Sequence, residues 1–388
     1  MLVASKNKTA LVRQLAPAAQ VYELPNRPPR RRSRAIPMPI YSHAFRHAQR
    51  RLALGFDSKF VAVNVQLAIA AIQEYCPDII VNDYHDTIRI AADAVGVPVV
   101  SFAMAHGLRS GRRLGDWKRN ELIDRPTMEC LDCFNEVRAQ HGLEPYVDER
   151  ETFEGVANLV PTCRELDPLQ ARAEEDLHVG PLSPAPVKKT HTRRRRPLVV
   201  SYLAEGNNRP ESAYPETLAS LVSQTSAMNF VVIGEKTRYG HWFTLGDTYR
   251  GLVSPDEYLH LLNNADVVIT AGGTTLVHAL ERSVPVLCLP WTSSEAAWAI
   301  QAEQFGAGLL YPAYRQPLDW RVDPIVHSAI PIAGHWSTGI TVAELSYNLE
   351  RIIDEPKFRL NAATLADQLQ EARSSIDLID FIKGVVSA

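Results

Sequence analysis

The chain has 388 residues, more than one ordinary domain needs, and suits two domains of comparable size. Hydrophobic residues at 46% against charged residues at 22% exclude a disordered chain, and a net charge of −3 gives no global electrostatic case for nucleic acid. No uninterrupted apolar stretch is long enough to span a bilayer, and no basic segment followed by a long apolar core opens the sequence. A cytoplasmic protein is therefore expected.

Short β-like runs alternate with helical stretches through the first half. Strands are expected at 1–4 and 20–24 around a helix at 8–15, then a Pro- and Arg-rich loop at 25–39 and long helical material at 41–75. A β-branched run at 78–83, a helix at 87–95 and a strand at 99–102 form a right-handed βαβ unit, with Pro98 at a strand entry where proline is tolerated. A helix at 117–141 and a strand at 157–160 follow. Residues 183–196 hold prolines, lysines and four consecutive arginines with little to bury, the composition of a linker. The alternation then restarts, with strands at 197–203, 230–233, 265–270 and 284–289 and helices at 214–226, 255–263, 274–282 and 296–305. A helical tail runs from 342 onward.

Five scattered cysteines, Cys76, Cys130, Cys133, Cys163 and Cys288, fit a reducing compartment better than a disulfide framework. Cys130 and Cys133 are a C-x-x-C pair on a helical stretch, without a second pair at zinc spacing, so they are assigned to packing and no metal site is expected.

Chemistry concentrates at 265–310. A strand runs into Ala271-Gly272-Gly273-Thr274-Thr275, where a helix begins. Two glycines admit a ligand close to the backbone, and helix-start N–H groups with threonine hydroxyls suit a diphosphate. Alone, the same turn also reads as a tight strand-to-helix connection with Thr as N-cap.

The wider stretch resembles the donor-site signature of GT-B glycosyltransferases, especially the UDP-glycosyltransferase-like families, with MurG-like spacing in the donor loop. The matching residues are Ala271-Gly272-Gly273, Thr274-Thr275, His278-Ala279-Leu280, Ser283-Val284-Pro285, Pro290, Ser294-Glu295, Trp298-Ala299 and Gly306-Ala307-Gly308. Tyr249-Arg250-Gly251-Leu252-Val253-Ser254-Pro255 resembles the loop flanking the nucleotide base, and Glu205 with Gly206 the loop after the first donor-domain strand. His178-Val179-Gly180-Pro181-Leu182 resembles the segment preceding the linker.

The resemblance implies an α/β fold of two doubly wound Rossmann-like domains facing a cleft. Residues 1–182 would bind the acceptor, 183–196 would link, 197–363 would bind the nucleotide-sugar donor, and 364–388 would pack back on the first domain. It further implies donor binding by Glu205, Gly206, Val253, Gly272, Gly273, Thr274, Thr275, His278, Ser294 and Glu295. The partners would be a UDP- or dTDP-sugar and a small-molecule or lipid acceptor, with no cofactor. Here Ser294-Glu295 replaces the family Asp-Gln that holds sugar hydroxyls, His278 the Glu that grips the ribose, and Ala271 a phosphate-contacting His, so no particular sugar carries over. No Glu-x7-Glu motif of retaining enzymes is evident, so inversion without a metal is the expectation.

The family base is a His after the first N-domain strand, oriented by an Asp that Asp83 resembles. Residues 1–5 resemble the family's second strand, so the first strand and helix have no counterpart, which would leave a gap in the sheet. Three expectations stay open: a start assigned too far downstream, substitution by His85 or His106, or donor binding without turnover. Arg30-Arg31-Arg32 with Arg34, and residues 193–196, read as solvated loops or as a peripheral contact with anionic membrane or a phosphorylated acceptor. A nucleotide-sugar 2-epimerase and a non-catalytic sugar-nucleotide-binding partner are the alternatives.

Overall fold

The computed structural model describes residues 2–5, 21–24, 57–83, 85–111, 121–169, 174–186, 195–203, 214–234, 248–290, 293–311 and 340–387, with 240, 242–243 and 246. The helix expected at 8–15, the Arg-rich loop and residues 41–56 lie outside them.

In the N-terminal half, β1 (Leu2–Ser5) and β2 (Val21–Leu24) pair in parallel. Helix α1 (Ser58–Tyr75) starts at Asp57, whose carboxylate accepts the Phe60 N–H at 2.8 Å and satisfies one free amide of the first turn. Val61, Val65, Ala68 and Ile72 form one buried stripe at helical spacing, packed with Ile88 and Ala91 of α2 (Asp86–Val95). Gly96, at φ 73°, closes α2 in the left-handed region where a side chain is disfavoured. Strands β3 (Ile80–Asp83), β4 (Val99–Phe102), β5 (Ala157–Val160) and β6 (Asp176–His178) form a parallel sheet in that order. Helix α3 (Glu121–Gln140) lies between β4 and β5 in the chain and buries Cys130 beside Leu131 and Phe134.

A buried polar row crosses this sheet. Asn82, Ser101, Asn158 and Asp176 are register partners on successive strands, so their side chains share one face. Asn158 Nδ2 donates to Asp176 at 2.7 Å and Ser110 Oγ also donates to Asp176, whereas Ser101 Oγ and Asn82 Nδ2 have no hydrogen-bond partner. Among the described residues no strand joins β1 to β3.

The C-terminal half is built around one six-stranded sheet, ordered β12-β11-β10-β7-β8-β9 and parallel throughout. Its elements are β7 (Leu198–Tyr202), α4 (Tyr214–Gln224), β8 (Asn229–Ile233), β9 (Tyr249–Gly251), α5 (Pro255–Asn264), β10 (Val267–Thr270), α6 (Gly273–Leu280), β11 (Val286–Cys288), α7 (Ser293–Gln304) and β12 (Gly308–Leu310). β7 lies at the centre, and its run Leu198-Val199-Val200-Ser201 is buried, as a strand covered on both faces requires. The tail expected from 342 onward is three helices, α8 (Val342–Asp354), α9 (Pro356–Ser374) and α10 (Leu378–Ser387). Pro356 divides the first two, since it has no N–H to continue a helix. Ile376, Leu378, Phe381 and Val385 pack against Val100, Leu159 and Val179 of the N-terminal half. The three-residue strands β6, β9 and β12 are additions to the sequence reading, too short for a period-2 pattern to register.

Candidate functional site

In a parallel α/β sheet, ligands bind beyond the carboxyl ends of the strands, beside the central crossover. At that place β10 ends in Thr270, whose hydroxyl accepts the Gly272 N–H at 3.1 Å and shapes the turn. Gly272 takes φ 121°, and a Cβ there would stand 2.8 Å from the main-chain oxygen of Glu295, so only glycine lets α7 lie against the loop. Gly273, at φ 60°, opens α6. The first turn of α6 carries no acidic residue, which leaves its N–H groups and dipole uncompensated and suited to an anion. Thr274 is exposed there and Thr275 is buried.

One turn further along α6, His278 is half-buried, with its ring edge-on to Tyr258 at 5.9 Å. Tyr258, on α5, stands edge-on to Tyr202 of β7 at 5.6 Å. Burial, with the charges of Arg282 and Arg373, lowers the His278 pKa to about 4, so its imidazole is neutral near pH 7. Its Nδ1 is buried without a hydrogen-bond partner. Burial also pushes the Tyr258 phenol up to about 12. Val253 is half-buried just after β9, and Glu295 is half-buried on α7 against the Gly272 loop. Ser294 lies in the first turn of α7, with its side chain outside the described atoms; Glu205 and Gly206 lie outside the described residues.

Behind the loop, α6 ends in a buried charge cluster. The Glu281 carboxylate accepts from Arg282 Nη1 at 3.0 Å and from Ser183 Oγ at 2.9 Å, and pairs with Arg373 of α9. Arg373 also donates to the carbonyls of Pro181 and Ser183, at 2.8 and 2.9 Å. A Cβ on Gly180, at φ 66°, would meet the Arg373 backbone nitrogen at 2.5 Å. The end of the N-terminal half is thereby strapped to the helix that carries the loop.

On the N-terminal side, Asp83 is exposed at the end of β3. His85 starts α2, with its N–H donating to Asn82 Oδ1 at 3.0 Å and its Nδ1 hydrogen-bonded to Thr87 Oγ1 at 3.1 Å. His106 is the middle residue of a 3₁₀ turn, Ala105–Gly107, and its side chain lies outside the described atoms. That turn is anchored by Asp167 Oδ2, which accepts the Ala105 N–H at 2.8 Å. Sequence reasoning passed over Tyr202, Tyr258, Asp167, Glu281 and Arg373, none of which stands in a motif. Among the described residues no three His, Cys, Asp or Glu side chains are grouped to hold a metal ion, and no helix is long and apolar enough to cross a membrane.

No protein-family model matches the chain, and no curated protein matches it. Solved structures do. It is similar to the glycotransferase of kitacinnamycin, with 14% identity over 98% of this chain and 90% of that one and a TM-score of 0.67. Against the spinosyn forosaminyltransferase SpnP the identity is 18%, covering 100% and 91%, with a TM-score of 0.63. Against the glycosyltransferase VinC in complex with dTDP it is 17%, covering 100% and 98%, with a TM-score of 0.60. This likeness shows the fold: the chain has the GT-B architecture of two Rossmann-like halves.

Proposed function

We propose that this protein is a glycosyltransferase that moves a sugar from a UDP- or dTDP-sugar to an acceptor hydroxyl. The observation that carries the reading is the Gly272–Thr275 loop, where a strand ends against a helix start that bears no acid and leaves no room for a Cβ. In this reading the donor diphosphate takes the N–H groups of Gly273, Thr274 and Thr275. The neutral His278 imidazole hydrogen-bonds a ribose hydroxyl, and Val253 borders the base. Ser294 and Glu295 face the sugar, and Glu205 and Gly206 border the donor from the β7 side.

Transfer is a single inverting displacement. A base removes the acceptor proton, the acceptor oxygen attacks the anomeric carbon, and the nucleoside diphosphate leaves. Charge growing on that diphosphate is met by the α6 amides and its dipole, so the chemistry runs without a metal ion. His85 and His106 are the candidate bases, with Asp83 as an orienting carboxylate. The protein acts in the cytoplasm on a small-molecule or lipid acceptor, at a membrane surface in the lipid case.

The test is calorimetric titration with UDP and dTDP, followed by incubation with the corresponding sugars and a panel of alcohols and phenols, read by mass spectrometry. Transfer with inverted anomeric configuration supports the proposal. Nucleotide binding with no product from any acceptor marks a non-catalytic binding protein, and an epimerised sugar formed without acceptor marks an epimerase.

A further inference from the structure

His85, one of the two candidate bases, stands at the N-cap of α2, just past the carboxyl end of β3. That edge of the sheet faces the C-terminal half: Asp83 pairs with Phe102 of β4, and Met104, two residues beyond, packs against the C-terminal core. The residue is held at its backbone and at its ring. Its main-chain N–H donates to Oδ1 of the buried Asn82 at 3.0 Å, and its Nδ1 meets Oγ1 of Thr87 at 3.1 Å. The ring itself is half-buried. Thr87, in the first turn of α2, is 2% exposed, and Nδ1 is the one hydrogen-bond partner of its hydroxyl among the described residues.

A hydroxyl has one hydrogen to give, and burial penalises a hydrogen that finds no acceptor. If Thr87 accepted from an Nδ1–H, its own hydrogen would be buried without a partner. If it donates to Nδ1, that hydrogen is satisfied. The second arrangement keeps the lone pair on Nδ1 and, in the neutral ring, puts the proton on Nε2. A histidine that works as a base needs the reverse: its near N–H is given to a carboxylate, so that the far nitrogen stays bare. We infer that His85 is a hydrogen-bond donor through Nε2, which grips an oxygen of the acceptor substrate, and that Thr87 is the positioning residue that sets this tautomer. Of the two histidines, His106 is then the one left for proton removal. The inference rests on the glycosyltransferase reading for the oxygen that is gripped, but not for the tautomer.

Nitrogen NMR of the isotope-labelled full chain, at a pH where imidazole is neutral, reads the tautomer. Nε2 should carry the proton, and Thr87→Val should shift the Nδ1 resonance by removing the hydroxyl from which it accepts. A proton on Nδ1, or an Nδ1 resonance indifferent to Thr87→Val, would overturn the assignment; the unaltered protein alone decides if Thr87→Val does not fold. In transfer assays His85→Ala should raise the acceptor KM about tenfold, the scale of one hydrogen bond, with kcat and the donor KM held within about twofold. His85→Gln offers an amide N–H near the place of Nε2 but cannot take up a proton, and should recover most of that loss. Thr87→Val should raise the acceptor KM about threefold, and Thr87→Ser should restore it. A kcat lowered at least about a hundredfold in both His85 variants would make His85 the base and overturn the donor role. An acceptor KM unchanged in His85→Ala would overturn it as well. Absence of transfer in the unaltered protein would remove the enzymatic reading and leave the nitrogen spectrum to judge the tautomer.

Discussion

The two halves differ in the continuity of their sheets among the described residues. In the C-terminal sheet the first strand, β7, sits between β10 and β8, and a single core runs beneath all six strands into α8 and α9. With its strands counted from β7, that order is the doubly wound 3-2-1-4-5-6. In the N-terminal half β1-β2 and β3-β4-β5-β6 are separate sheets among the described residues. Three smaller clusters hold many of the buried apolar side chains of that half among the described residues, while Cys163 and Leu166 join the C-terminal core. A central strand covered on both faces gives two layers one shared core. In the N-terminal half the buried polar row runs through β3–β6 alone, and α10 covers that same sheet.

Removing the strap between the halves should cost most. Arg373→Ala leaves the buried Glu281 short of a cation and frees the Pro181 and Ser183 carbonyls, an expected loss of about 3–5 kcal/mol in urea unfolding. A loss below about 1 kcal/mol would reduce the strap to a surface ion pair. Ile269→Ala, inside β10, should cost about 2–5 kcal/mol, since a fully buried side chain is replaced by a cavity. If the halves unfold separately, only the C-terminal transition should shift.

Gly272→Ala forces a side chain into φ 121° against Glu295, and should cost about 1–3 kcal/mol. The same change should weaken UDP or dTDP binding at least about tenfold, because the loop can no longer keep its shape under the phosphates. Binding that survives would move the nucleotide elsewhere.

Two titrations act in opposite directions and mask one another. Burial raises the Asp167 pKa from 3.8 to about 7, so the native state keeps a proton that the unfolded chain releases, and stability falls as pH rises through that window. His278, lowered from 6.5 to about 4, refuses a proton that the unfolded chain takes, so stability falls as pH drops through that window. Asp167→Asn should leave stability rising with pH between about 4 and 6.5, and His278→Asn should leave it falling, read as urea midpoints against pH. The smallest effect is expected at Ser101, whose buried hydroxyl has no hydrogen-bond partner. Ser101→Ala should change stability by less than about 1 kcal/mol, in the stabilising direction. A clear loss would show that the Ser101 hydroxyl contributes to the polar row of the β3–β6 sheet.

The Gly272–Gly273 turn was legible because its signal is local: two glycines, two threonines and a strand-to-helix change fall within 270–275 and announce themselves by residue type. The alternation of strands and helices was legible for the same reason, since burial on both faces writes runs such as 267–270 directly into the sequence. The chain by itself therefore determined the α/β class, the renewed strand–helix alternation in the C-terminal half and the place of the Gly272–Gly273 turn. Only the tertiary structure decided which strands pair, and that Asp167 meets Ala105, Tyr258 meets His278 and Glu281 meets Arg373. Those contacts join residues far apart in the chain: 62 residues from Ala105 to Asp167, 98 from Ser183 to Glu281 and 192 from Pro181 to Arg373. At such separations neither residue biases the conformation of the other's neighbourhood, so no local pattern can record the partnership before the chain has folded.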